Sequence, residues 1–106
     1  MNSPRPDLRI AAGMPYFRVL LDGENIWLHM EGRQQRMGFF TTRFVEAASM
    51  DEASRVAVSH LRSEKKLKSL NHPDDPPRII VREVERVKKT DVPRIVHGFA
   101  FFPDEP

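Results

Sequence analysis

The chain has 106 residues, of which 40% are apolar and 30% charged, and its 17 basic and 15 acidic side chains leave a formal charge of +2. This length and composition fit one globular domain with a single hydrophobic core. The small net charge is no argument for nucleic-acid or anionic-membrane binding by bulk electrostatics, and the lack of cysteine excludes disulfides, thiol catalysis and cysteine-held metal clusters.

The first 14 residues predict a flexible leader, because Pro4 and Pro6 interrupt them and they show no sustained periodicity. Residues 1–15 contain no secretory hydrophobic segment, and no apolar run approaches the roughly 20 residues that span a bilayer. We therefore expect one α+β domain over residues 15–106, located in the cytoplasm and without membrane contact.

Alternating apolar residues predict two strands after residue 15. The Asp22-Gly23 pair between the two runs favours a tight turn, so the sequence predicts a hairpin there. The polar residues 31–36 predict a second connection. A two-residue period places the apolar residues of both runs on one face; they are Phe17, Val19, Leu21, Ile26, Leu28 and Met30.

Residues 37–47 (MGFFTTRFVEA) predict a third strand, because aromatic and β-branched side chains favour an extended backbone. Phe39 and Arg43 share one face of this strand, whereas Phe40 and Glu46 share the other. Arg43 and Glu46 therefore belong to no common site. We interpret both as polar residues on the outside of the domain.

A helix of about 18 residues is predicted to start after Ser49 and to end before Pro73. Ser49 and Glu52 match a capping box, in which the serine hydroxyl accepts from the Glu52 N–H and the carboxylate accepts from the Ser49 N–H. An apolar stripe at helical spacing supports the prediction; its members are Met50, Ala53, Ala57 and Leu61.

Two further strands are predicted after the helix. Residues 78–88 (RIIVREVERVK) indicate a strand with a bulge where the apolar phase changes, and residues 95–103 (IVHGFAFFP) indicate a last strand. The order β-β-β-α-β-β predicts an antiparallel sheet of about five strands with one long helix packed on one face, an α+β fold.

The residue types that could carry chemistry occur without a recognisable motif. Glu83 and Glu85 share a strand face, which can raise a carboxyl pKa, but neighbouring arginines and lysines would neutralise such a row. The histidines lack metal-ligand spacing on a helix; they are His29, His60, His72 and His97. The sequence predicts no catalytic, cofactor-binding or metal-binding residue, and it leaves any binding residues unassigned.

A basic group lies at the predicted end of the helix. It could bind phosphates, but cations also stabilise a helix C-terminus against its dipole. Its members are Arg62, Lys65, Lys66 and Lys68.

Aromatic residues are predicted on both faces of the sheet, and one helix covers only one face. A remaining apolar patch of that kind favours self-association or a protein partner, unless the leader folds over it. We therefore expect a homodimer or a protein partner. The aromatic residues concerned are Tyr16, Trp27, Phe39, Phe40, Phe99, Phe101 and Phe102.

The segments GFFTTRFVEA (38–47) and GFAFFP (98–103) resemble a family of small bacterial proteins without an assigned function. The strand and helix order is similar to the HicB-type antitoxin fold, and Gly38-Phe39 before a helix also resembles part of the RNA-recognition motif, with Thr41 in place of an aromatic residue. The family resemblance implies no catalytic residues.

Three functions remain open. The first is a small non-enzymatic protein-interaction or regulatory domain. The second is a nucleic-acid-associated, antitoxin-like module that uses Arg33, Arg36 and the helix-end lysines. The third is a small enzyme whose site forms between subunits around Arg43, Glu46 or the histidines.

Overall fold

The computed structural model describes residues 13–64, 69–94 and 98–104, which form one antiparallel sheet and one α-helix. The strands follow the order β3-β1-β2-β4 across the sheet. The predicted α+β class is confirmed, but the described part of the chain contains four strands rather than five. The elements are β1 (Tyr16–Met30), β2 (Arg33–Glu46), α1 (Met50–Arg62), β3 (Arg78–Val87), a 3-10 turn (Lys89–Asp91) and β4 (Ala100–Pro103).

The first strand is continuous where the sequence predicted a turn. Asp22 and Gly23 lie inside β1 and pair with β2. The chain reverses instead at Glu31 and Gly32, whose φ angles of 51° and 82° suit a two-residue hairpin connection. The predicted second connection therefore shrinks to two residues. Gly23 is required for packing, because a Cβ at this position would overlap the ring of Phe39.

A bulge in β1 keeps its apolar residues on one face. Leu21 and Ile26 are an odd number of positions apart, so a regular strand would turn their side chains to opposite faces. β1 carries one extra residue between Gly23 and Ile26 relative to β2, and Asn25 in this stretch has a positive φ of 58°. Both Leu21 and Ile26 are consequently buried in the same core.

The hydrophobic core lies between α1 and one face of the sheet, which we call the covered face. Ala53 and Ala57 are small enough to let the helix approach the strands, and Leu61 fills the space at the end of the helix. We call the other face of the sheet, away from α1, the open face. Buried residues from β1, β2 and the segment after β2 complete the core; they are Phe17, Val19, Leu21, Ile26, Leu28, Met37, Phe39, Val45 and Ala47.

Helix α1 starts where predicted. The Ser49 hydroxyl accepts from the Glu52 N–H at 3.1 Å. The Glu52 carboxylate accepts from the Ala48 N–H at 2.6 Å, not from the Ser49 N–H that the capping box predicted. One of the four N–H groups that lack a partner within the helix, that of Glu52, is thereby satisfied, and the Glu52 carboxylate binds the chain just before the cap.

Helix α1 ends earlier than predicted, at Arg62. The Ser63 N–H and hydroxyl lie 3.3 Å and 3.0 Å from the His60 carbonyl oxygen and donate to it. The Leu70 N–H donates to the Trp27 carbonyl in β1 at 2.7 Å, so the chain has left the helix before that residue. The predicted helix was too long because the hydrogen bond between Leu70 and β1 requires a non-helical backbone there.

Strand β3 confirms both the predicted strand and its bulge. Val81 and Glu83 pair with the successive residues Leu21 and Leu20 of β1, which leaves Arg82 as the extra residue. The change of apolar phase in the sequence is the signature of this extra residue.

Some predicted features lie wholly or partly outside the described residues. The leader is described only from residue 13, and the last strand is shorter than predicted, with β4 beginning at Ala100. Residues 65–68 of the basic group and residues 95–97 also fall outside the described ranges. Within those ranges, no helix has the length and apolar character required to cross a bilayer.

Candidate functional site

The structure separates Arg43 from Glu46, as predicted, but it buries the arginine. Glu46 is exposed, whereas Arg43 is 9% exposed. The Arg43 guanidinium carbon lies 5.0 Å from the centre of the Phe99 ring, and its Nη2 lies 4.0 Å from Glu64 Oε2. The prediction that Arg43 lies on the outside is wrong, because an aromatic ring and a carboxylate compensate its charge on the covered face.

Arg43 and its neighbour Thr41 hold the segment before β4 against β2. The Thr41 hydroxyl donates to the Gly98 carbonyl oxygen, and Arg43 lies over the Phe99 ring. Arg43 Nε and Nη2 are buried and have no hydrogen-bond partner within the described ranges. These contacts anchor a loop, and in the described part of the chain they bring Arg43 together with a single carboxylate, that of Glu64.

Glu83 and Glu85 share the open face, as predicted, but the cation between them comes from β1. Arg18 Nη2 donates to Glu83 Oε1 at 2.9 Å and to Glu85 Oε1 at 2.7 Å. The hydrogen bond with Glu85 raises the pKa of Arg18. Both glutamates are exposed, so the arrangement is a solvated row of ion pairs. Sequence reasoning missed Arg18 because it is far away along the chain.

Sequence reasoning also missed Asp22, which is 7% exposed at the centre of the sheet. Arg82, the extra residue of the β3 bulge, donates from Nε to Asp22 Oδ2. This hydrogen bond raises the pKa of Arg82. Asp22 Oδ1 has no hydrogen-bond partner among the residues that the structure describes. The bulge thus turns an arginine toward a buried carboxylate on the adjacent strand.

Two asparagine side chains hold the segment that precedes β3 against β1 through hydrogen bonds. Asn25 Nδ2 donates to Asp75 Oδ1 at 2.8 Å, and Asn71 Nδ2 donates to the Asn25 carbonyl at 2.7 Å. The Trp27 N–H donates to Asn71 Oδ1 at 2.9 Å, and the Asn25 N–H donates to Asp104 Oδ2 at 2.7 Å. The bulge of β1 is therefore tied to the segments next to both edge strands.

The described histidines do not converge. His29, His60 and His72 are exposed, and His72 Nδ1 accepts from the Asp74 N–H at 3.1 Å. His97 lies outside the described residues. Among the residues that the structure places, no three histidine or carboxylate side chains come together in a way that could hold a metal ion.

The basic residues suggested for nucleic-acid binding have different surroundings. Arg36 Nε donates to the Asp104 carbonyl at 2.8 Å, so its guanidinium takes part in an internal contact. Arg33, beside the hairpin turn, and Arg62, at the end of α1, are exposed.

A groove of about 410 Å³ lies between α1 and β3 and is open to solvent. Its surface is mostly apolar. Two serines contribute little side-chain volume and thereby leave the space between helix and strand unfilled. The lining residues are Ser54, Arg55, Val58, Ser59, Arg62 and Val81.

The same groove borders an edge of the sheet. No described strand lies beyond β3, whose only strand neighbour in the described sheet is β1. The apolar first half of β3 contains Ile79 and Val81, which pack partly on the core. The charged second half begins at Arg82, and charges of this kind discourage indiscriminate strand addition. The groove adjoins the apolar half, at Val81.

A second opening, of about 440 Å³, lies beside β2 and the start of β4. Phe40 on the open face is 49% exposed, and its ring centre lies 5.1 Å from that of Phe102. This exposure agrees with the predicted surplus of aromatic residues. The residues around the opening are Leu20, Phe40, Thr41, Thr42, Gly98, Phe99 and Ala100.

Comparison with protein-family models, curated proteins and solved structures finds no match to this chain. The resemblances to a small bacterial family and to the HicB-type antitoxin fold therefore stay predictions.

Proposed function

We propose that the protein is a small non-enzymatic interaction domain that binds an extended protein segment along the first half of β3. The observation that carries this proposal is that β3 has no outer strand neighbour in the described parts of the chain and borders an apolar groove at Val81. The main chain of an added strand would hydrogen-bond to β3, and alternate side chains would enter the groove.

The groove supplies the selectivity that an open edge lacks. Val58 and Val81 offer apolar contact, while Ser54 and Ser59 leave room for an incoming side chain. An edge without such a groove would accept any extended chain through its backbone alone. A regulatory role follows if the bound segment controls the partner, and a homodimer follows if the segment belongs to a second copy.

We also propose that the protein is located in the cytoplasm. Proteins of that compartment rarely contain disulfides, which fits a chain without cysteine.

Selection of random peptides tests the interaction function. The full chain is immobilised and challenged with random 12-residue peptides displayed on phage. Ser59→Gln fills the groove with a neutral side chain that suits a helix. We expect this variant to bind the selected peptides about tenfold more weakly, because one interface contact is lost. Hydrogen exchange should slow at alternate amides of β3 when a peptide binds.

His60→Gln is the matched control, because it places the same side chain on the next, exposed residue outside the groove. It should bind the selected peptides as the unmodified protein does. The proposal is wrong if no peptide is selected, or if the two variants bind equally well.

The alternative function is a nucleic-acid-associated, antitoxin-like module, which the exposure of Arg33 and Arg62 favours. Retention on heparin at low salt that disappears in the Arg33→Ala/Arg62→Ala variant would support it. Elution in the void volume at low salt would remove it.

A further inference from the structure

The groove beside β3 carries positive charge along the side formed by α1. Arg55 and Arg62 both line it, with Val58 and Ser59 between them. Residues seven positions apart lie on the same side of a helix, about 10 Å apart along its axis. The two arginines therefore border one continuous groove.

Neither Arg55 nor Arg62 has an ion-pair partner among the described residues, and no acidic residue lines the groove. The acidic residues of β3 do not compensate this charge. Glu83 and Glu85 project from the open face and bind Arg18, whereas the groove lies next to α1. An occupant that brings carboxylates would supply the missing partners.

A second copy of the chain fits this charge poorly. Antiparallel pairing of β3 with itself requires a two-fold axis perpendicular to the sheet, which keeps both helices on the same side. The arginines that line the groove of one copy would then face those of the other. Like charges placed opposite one another disfavour such a pairing.

We infer that the segment bound along β3 belongs to a different protein and combines an apolar residue with flanking acidic residues. This inference rests on the proposed function. A strand advances about 3.3 Å per residue, and every second side chain faces the groove. An acidic residue two positions before the apolar one and another two positions after it span about 13 Å. This span lets both carboxylates reach Arg55 and Arg62.

The peptide selection is repeated on Arg55→Glu/Arg62→Glu, with Arg33→Glu/Arg94→Glu as the control of equal net charge. The control residues are exposed and do not line the groove. Peptides selected on the unmodified protein should carry aspartate or glutamate two positions on either side of an apolar residue. The groove variant should lose this preference, select lysine or arginine instead, and bind the acidic peptides about tenfold more weakly.

The outcomes separate the inference from the proposed function. Selected peptides without acidic enrichment, but still sensitive to Ser59→Gln, would overturn the inference and leave the interaction function standing. A dimer in sedimentation that Ser59→Gln dissociates would overturn it in favour of self-association. A failure to select any peptide would remove both. Far-UV circular dichroism verifies folding, and Arg55→Gln and Arg62→Gln singly replace the double variant if it unfolds.

Discussion

The two edge strands of the sheet differ in length and in the residues that end them. β3 contains ten residues, whereas β4 contains four and ends at Pro103, which has no backbone N–H to donate. Asp104 then closes this end, because its N–H donates to the Arg36 carbonyl at 3.0 Å and its carbonyl accepts from Arg36 Nε at 2.8 Å. Short strands with proline are a common protection against edge-to-edge association.

Both edges are held partly by packing on the core. Phe99 and Phe101, beside and within β4, pack against the buried ring of Phe39 with centre distances of 5.1 Å and 6.0 Å. β3 also packs on the core, for example through Val81, but it additionally forms ion pairs with β1 such as that between Arg18 and Glu85. Core packing therefore does not separate the two edges; β4 is short and closed by Asp104, whereas β3 has no outer strand neighbour among the described residues and borders the groove.

The largest expected effect is on the β4 side. Phe39→Ala removes a fully buried ring that packs against Phe99 and Phe101 and should lower the free energy of unfolding by about 3–5 kcal/mol. Urea denaturation measures the change. Phe40→Ala is the matched control on the open face and should cost less, because this ring is 49% exposed. Equal losses for the two variants would contradict the assignment of the core to the covered face.

An intermediate effect is expected at Asn25, which links the two edges through Asp75 and Asp104. Asn25→Ala removes the side-chain hydrogen bonds to Asp75 and Pro76 and leaves an alanine at positive φ, so we expect a loss of about 2 kcal/mol in unfolding free energy. Asn25→Gly removes the same bonds but tolerates the backbone angle, and it should recover about 1 kcal/mol. Thermal or urea unfolding of both variants measures the difference. If both variants lose the same unfolding free energy, the positive φ at this position does not explain why asparagine occurs there.

The smallest effect concerns only the β3 side, where α1 forms one wall of the groove. Ser49→Ala removes the helix cap and should lower the unfolding free energy by about 1 kcal/mol. Amides in the first turn of α1 should exchange faster, while those of β4 stay unchanged. Ser49→Asp retains a capping oxygen and should preserve stability. Faster exchange in β4 would show that the two edges are coupled more tightly than the contacts indicate.

Elements with local sequence signals could be predicted without the structure. The alternation of Phe17, Val19 and Leu21 identified the covered face of β1, and Ser49 identified the start of α1. The phase change in residues 78–88 identified the bulge in β3. Each signal lies within a single short segment of the chain, so it can be read without knowing which distant segment packs against it.

Which polar residues are buried, and where the first hairpin turns, depends on contacts between distant segments of the chain. Gly23 lies under the Phe39 ring and not in a turn, and Arg43 is buried because Phe99 and Glu64 meet it from distant parts of the chain. The groove and the open edge of β3 likewise depend on strand order. These features arise from pairing between segments far apart in sequence, and the periodicity of one segment carries no information about which neighbour will cover it.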